Sequence, residues 1–451
     1  MAPPAGRCDH AAAASRRRSA RLAALRTLPA PPTAVAPPAP RTTTTPCRRR
    51  RRLPLHFRRS DNQACLVSNL AHHQVVFVEA WPGTGRSSQV PRVLHAAGHG
   101  PVVCSQTYRI AAESAAAHAA TNMRAGETRP RARLLHLLAA DPLLARYGAV
   151  VVDEADDGML LTAAVLSCVK AVVARRPELR LVICIHGTMF YGEGAINDFF
   201  PDAVHLWFRT MLGVLRFHDF LTEPVPVTDY VAASVHTVCS IHSGEPPGDV
   251  LVFLPTRADI ESAERLLAAR ALPGLVTRCL HDGLAVADLI GDVLSPAPDG
   301  KRKVVLANDV ANSAVFVEGI KYIVDSGYLC TDNALPSLTT TAGASSPPAA
   351  AQMVRALKVA VRSGYHIKRR GNEGKCFCLY TTAECRGMLR TCWSSLRART
   401  NDANGIAGVV LVLKHLGIIS GSIESFNFVL PPRPETLERA VEVLEAAGAV
   451  G

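Results

Sequence analysis

The stretch Val150-Val151-Val152-Asp153-Glu154-Ala155-Asp156 decides the fold. Three β-branched residues that run at once into two adjacent acids read as a buried strand delivering carboxylates to its carboxyl edge. A carboxylate pair in that place can hold Mg²⁺ and orient a water for attack on a phosphate. Upstream, Val75-Val76-Phe77-Val78 has the same strand character and leads into Trp81-Pro82-Gly83-Thr84-Gly85-Arg86-Ser87-Ser88-Gln89. That is a glycine-containing strand-to-helix turn, the form of a phosphate cradle. Set against the pattern G-x-x-x-x-G-K-[ST], Ala80 stands at the first Gly and Arg86 at the Lys. Gly83, Thr84, Gly85, Arg86, Ser87 and Ser88 are the nucleotide-binding candidates.

Outward from these two sites the chain alternates strand and helix. Further strands are expected at Val102–Cys104 and Leu181–Ile185. A second series opens at Asp249–Leu254, continues through a helix over Arg257–Arg270, and adds strands at Val304–Leu306 and Tyr322–Asp325. Alternating β and α in two blocks predicts an α/β chain with two parallel-sheet domains, whose ligands bind at the carboxyl ends of the strands. Thr340–Ala351 reads as loop, and apolar residues recur at helical spacing over Ile406–Leu416 and Glu435–Ala447. The expected organisation is a tail over 1–60, a first domain over 61–212, a second over 213–383, and a helical segment over 384–451.

Composition narrows the function classes. The first 60 residues carry fourteen arginines against the single acid Asp9, so the net charge of +12 belongs to the tail and the body is close to neutral. The body is therefore no bulk-charge nucleic-acid binder, whereas the tail is cationic. Its Arg-, Ala- and Pro-rich composition predicts disorder. It fits a nuclear signal or RNA-binding tail through Arg48–Arg52, a plastid or mitochondrial transit peptide, or a solvated tail with no address. No charge-free apolar run reaches about 18 residues, so no membrane span is expected. Thirteen scattered cysteines give no disulfide framework. Cys376, Cys378, Cys385 and Cys392 have poor zinc spacing, and His236-x-x-Cys239-x-x-His242 reads as a helix face rather than a metal site.

Four further phrases join the acidic motif in order and spacing: Glu245–Pro255, Val317–Gly327, Gly374–Thr381 and Leu430–Leu437. With them the chain resembles the DEAH-box RNA helicases, the group that includes spliceosome-remodelling ATPases, from about residue 61 to its end. The resemblance implies two RecA-like domains that clamp ATP and move along single-stranded RNA, followed by a winged helix and the start of a helical bundle. It implies ATP and Mg²⁺ as cofactors, RNA and ribonucleoprotein partners, and a role in mRNA processing. Gly83, Gly85, Ser87 and Gln89 match the phosphate loop, with Ser87 and Asp153 as Mg²⁺ ligands and Glu154 as the residue that activates water. Asp156 stands where the family has His.

Other matches are partial. The coupling motif S-A-T is His186-Gly187-Thr188, with Thr188 kept. The RNA-contacting motif T-Q-P-R-R is Ser105-Gln106-Thr107-Tyr108-Arg109, which keeps a hydroxyl, Gln106 and Arg109. In the arginine-finger motif only Arg370 matches, with Arg355, Arg362 and Arg369 nearby. Arginine fingers are worth roughly 10³–10⁵ in rate, so hydrolysis is expected to be impaired. The alternative is a non-catalytic pseudo-helicase that binds RNA or protein. Between Arg109 and Asp153 the chain is also shorter than the family pattern by about 25 residues, which predicts a first sheet lacking a core strand.

Overall fold

The computed structural model describes residues 60–80, 85–122, 126–157, 159–185, 194–208, 220–313, 315, 317, 319–330, 353–355, 375–384, 402–419 and 423–448. The first lobe opens with helix α1 (Ser60–His72) and strand β1 (Val75–Ala80), then α2 (Arg86–Leu94) and β2 (Val102–Gln106). It continues with α3 (Arg109–Asn122), β3 (Gly126–Pro130), α4 (Arg131–Ala140) and β4 (Ala149–Val152). Helix α5 (Leu160–Arg175), β5 (Arg180–Ile185), α6 (Gly194–Phe199) and β6 (Val204–Phe208) complete it. Its sheet has the order β3-β2-β4-β5-β1-β6, with every pairing parallel.

The strands form because both faces of this sheet are covered, and side chains alternate between the two faces. Val76, Val78, Cys104, Val151, Val182 and Cys184 pack with Leu66 and Leu70 of α1 and Val90 and Leu94 of α2. Phe77, Val103, Val150, Val152, Leu181 and Ile183 face α4 and α5. Twelve of the sixteen residues of α5 are buried, because a second helical layer covers its outer side. That layer is α9 (Ala403–His415) and α10 (Pro434–Ala446), whose Val409, Leu413 and Leu444 join the same core.

The interval read as lacking a core strand does contain one strand, β3, at the edge of the sheet. The interval from Arg109 to Asp153 holds α3, β3 and α4, and β3 pairs along the whole of β2. Sequence inspection passes over β3 because Gly126-Glu127-Thr128-Arg129-Pro130 has no apolar run, and an edge strand needs none.

The second lobe begins with β7 (Phe220–Thr222), α7 (Tyr230–Gly244), β8 (Asp249–Phe253) and α8 (Arg257–Arg270). Strands β9 (Leu275–Leu280), β10 (Arg302–Ala307) and β11 (Ile320–Asp325) follow, then a small hairpin-like pair, β12 (Tyr328–Cys330) and β13 (Met353–Arg355), and finally β14 (Lys375–Cys378). The second sheet, in the order β7-β14-β11-β8-β10-β9, is also wholly parallel. Helix α8 starts with a reciprocal cap: Thr256 Oγ1 accepts from the Asp259 amide at 3.1 Å, and Asp259 Oδ2 accepts from the Thr256 amide at 3.1 Å.

Among the described residues, the start of α3 joins the lobes. Ile110 and Ala111, at the start of α3, are fully buried among Leu251, Phe253, Leu280 and Leu289 of the second lobe. Residues 1–59, Thr340–Ala351 and the arginine-finger stretch 363–370 lie outside the described residues.

Candidate nucleotide site

The site lies at the carboxyl edge of the first sheet, where the chain leaves β1 to the far side of β5 and β4. That reversal of strand order is where α/β sheets open a crevice for ligands. Gly85 ends the cradle with φ +87°, a left-handed conformation that glycine adopts without steric cost, and α2 starts directly after it. No side chain caps α2 at Gly85. Ser87 and Ser88 lie half-buried in its first turn, and Ser88 Oγ donates to the Gly85 carbonyl at 3.2 Å. Gly83, Thr84 and Thr188 lie outside the described residues, as does Arg370.

Arg86 turns inward. Its side chain is 3% exposed, and Nη1 donates to the carbonyls of Ala80 and Ile185, both at 2.5 Å. These are the last residues of β1 and β5, neighbours in the sheet. Nε approaches Asp153 Oδ1 at 3.3 Å without the alignment of a hydrogen bond. Burial acts against the guanidinium charge, but Asp153 foremost, with Asp156 and Glu154 further off, holds its pKa above the ordinary arginine value.

Asp153, just past β4, is fully buried and surrounded by donors. Oδ1 accepts from the Glu154 amide at 3.0 Å, and Oδ2 accepts from Gln106 Nε2 at 2.9 Å. Gln106 is the last residue of β2. Four adjacent strands, β2, β4, β5 and β1, are therefore tied at their ends by one Gln106–Asp153–Arg86 chain. Glu154, 7% exposed, holds φ +53°, which is uncommon for a residue with a side chain and is found where the surroundings dictate the backbone. Asp157 completes the turn by accepting from Thr107 Oγ1 at 2.9 Å, Thr162 Oγ1 at 2.8 Å and the Met159 amide at 2.8 Å.

This arrangement does not fit a divalent cation. A metal needs carboxylate oxygens open to it, and both oxygens of Asp153 already face protein donors. A dication about 4 Å from the Arg86 charge would meet a repulsion of ~8 kcal/mol at an effective dielectric of 20. Arg86 supplies the positive charge that Asp153 would otherwise take from a metal. Among the described residues, no group of three His, Cys, Asp or Glu side chains is placed to hold a metal. His236, Cys239 and His242 sit on α7, where His242 Nε2 donates to the Pro273 carbonyl at 3.0 Å.

The residues matched to an RNA contact divide. Ser105 and Gln106 are 0% exposed, and Gln106 serves Asp153. Arg109 is exposed; it pairs with Glu113 at 2.7 Å and donates through Nη2 to the Leu284 carbonyl of the second lobe at 3.1 Å. Sequence reasoning missed Tyr108, whose hydroxyl donates to Asp309 Oδ2 of the second lobe at 3.1 Å. An aromatic residue in a motif otherwise matched by polar types was its only signal.

Comparison with solved structures gives the same architecture. The chain matches the crystal structure of the Escherichia coli DEAH/RHA helicase HrpB with a TM-score of 0.68 and 20% sequence identity. The fold is DEAH/RHA helicase-like. The match covers 88% of this chain and 51% of HrpB, so this chain spans about half the length of that helicase. No protein-family model matches the sequence.

Proposed function

We propose that this protein is a non-hydrolysing, DEAH-type helicase-like protein: a two-lobed RecA scaffold that binds RNA and nucleotide without coupling them to turnover. The observation that carries the reading is the closure of Arg86 onto Asp153. Hydrolysis in this fold needs a metal on the acid after β4, and here a buried guanidinium faces that acid at 3.3 Å. The arginine-finger motif, of which only Arg370 matches, points the same way. The helicase-like fold and the arginine-rich tail support RNA as partner. An address in the nucleus, or in a plastid or mitochondrion, and partners in ribonucleoprotein particles are parts of the same proposal.

The test is binding of labelled single-stranded RNA by the full chain across a salt series, alongside ATP turnover. The reading expects salt-dependent RNA binding with no RNA-stimulated turnover. RNA-stimulated hydrolysis would restore the ATP-dependent helicase reading, which the retained Asp153-Glu154 pair and Gly85 favour. Absence of RNA binding would remove the RNA half of the proposal.

A further inference from the structure

We propose that the junction of β2 and α3 is an autoinhibitory clasp. The second lobe holds the Tyr108 hydroxyl and the Arg109 guanidinium, two groups of the first lobe suited to phosphate, and an RNA strand reaches them only when the clasp opens. The inference rests on the reading above that the chain binds RNA. It adds what that reading leaves open: how the binding is held in check.

Three observations carry it. The first is that attachments to both lobes follow one another along a short stretch. Thr107 Oγ1 donates to Asp157 of the first lobe at 2.9 Å, and the next residue, Tyr108, donates its hydroxyl to Asp309 of the second at 3.1 Å. Arg109 places Nη1 on Glu113 Oε2 at 2.7 Å and Nη2 on the Leu284 carbonyl of the second lobe at 3.1 Å. The second is the apolar insert that follows. Ile110 and Ala111, both 0% exposed, lie among Leu251, Phe253, Leu280 and Leu289 of the second lobe. Parting the lobes here exposes that surface to water, so the closed state is the favoured one. The third is the chemistry of what is covered. Tyrosine hydroxyls and arginine guanidinium groups are common holders of nucleic-acid phosphates. Here a carboxylate sits on the hydroxyl, and a carboxylate repels a phosphate. Asp309 and an RNA strand therefore compete for Tyr108 rather than share it. A stretch closed in this way lowers the apparent affinity by the fraction of molecules in which it is open.

The test is fluorescence anisotropy of a labelled single-stranded RNA with the full chain and with three variants of it. Tyr108→Phe loses one hydrogen bond and no charge, and should bind the RNA about fivefold tighter than the wild type. Asp309→Ala removes the same bond from the other side and should tighten binding by at least as much. Asp292→Ala is the charge control, because Asp292 is a second-lobe acid that is 60% exposed and faces Arg278 instead. It should change the affinity by less than about twofold. Circular dichroism checks folding; if Asp309→Ala does not fold, Tyr108→Phe decides alone. Tyr108→Phe binding no tighter than the wild type overturns the clasp and leaves the RNA reading standing. Equal tightening by Asp309→Ala and Asp292→Ala also overturns it, since bulk charge then accounts for the gain. RNA bound by none of these proteins removes the RNA reading, and the clasp with it.

Discussion

Tyr108 and Asp309 lie 201 positions apart, and the tyrosine hydroxyl donates to Asp309 Oδ2 at 3.1 Å. Two residues before Tyr108, Gln106 holds Asp153; two residues after it, Ile110 is buried in the second lobe. One five-residue stretch thus joins the candidate nucleotide site to the other sheet. Tyr108→Phe removes a hydrogen bond worth about 1 kcal/mol. Amide exchange over Arg109–Asn122 should quicken roughly fivefold. Unchanged exchange would show that the tyrosine hydroxyl does not fasten the lobes.

Ile110→Ala should destabilise the protein by about 2–5 kcal/mol, because the side chain fills a position in the second lobe's core. Arg109→Ala, next to it, should cost under about 1 kcal/mol, since its pair with Glu113 is exposed. Urea midpoints measured side by side check the contrast. Equal effects would mean that Ile110 is not packed as described.

Arg86 and Asp153 should behave as a coupled pair. Arg86→Met leaves a buried carboxylate without its cation, and Asp153→Leu leaves the reverse, each costing about 3–5 kcal/mol. The double variant should cost clearly less than the sum of the two. Additive costs in denaturant unfolding would show no interaction between them.

His205 stacks on Phe77 with ring centroids 4.4 Å apart, and burial lowers its pKa from the ordinary 6.5. The unfolded chain therefore takes up this proton first as pH falls. The stability contribution is complete above about pH 6.5 and is lost as pH drops through the lower folded value. His99, lowered by burial and Arg180, and His281, lowered by burial and Arg257, act in the same direction. The His205→Gln variant should lose less Tm than the wild type between about pH 7.5 and about pH 5.5. An equal loss in both would place the acid sensitivity elsewhere.

What the sequence discloses follows burial. Strands β1, β2, β4, β5, β8, β10 and β11 are readable because parallel strands covered on both faces are continuous apolar runs. The edge strands escape: β3 is Gly126-Glu127-Thr128-Arg129-Pro130, and β9 carries Arg278 on an incompletely buried strand. The helices Ile406–Leu416 and Glu435–Ala447 are visible by period, but their docking on α5 is not, because it depends on a tertiary partner. The site shows the same division. Arg86 is legible as a departure from the phosphate-loop pattern. Its inward direction is not, because the acceptors that set it come from Ala80 and from Ile185, 99 positions away. Gln106 resembles an RNA contact by motif, while its amide belongs to Asp153.

The central claim is that Arg86 takes the place of metal chemistry at Asp153, and steady-state ATP hydrolysis tests it most directly. The full chain would be assayed with and without single-stranded RNA, in excess MgCl₂, beside Glu154→Gln. We expect wild-type turnover no higher than that of Glu154→Gln, with RNA or without it, in protein shown to be folded. RNA-stimulated turnover that disappears in Glu154→Gln would contradict the claim and show that a metal reaches Asp153 despite Arg86.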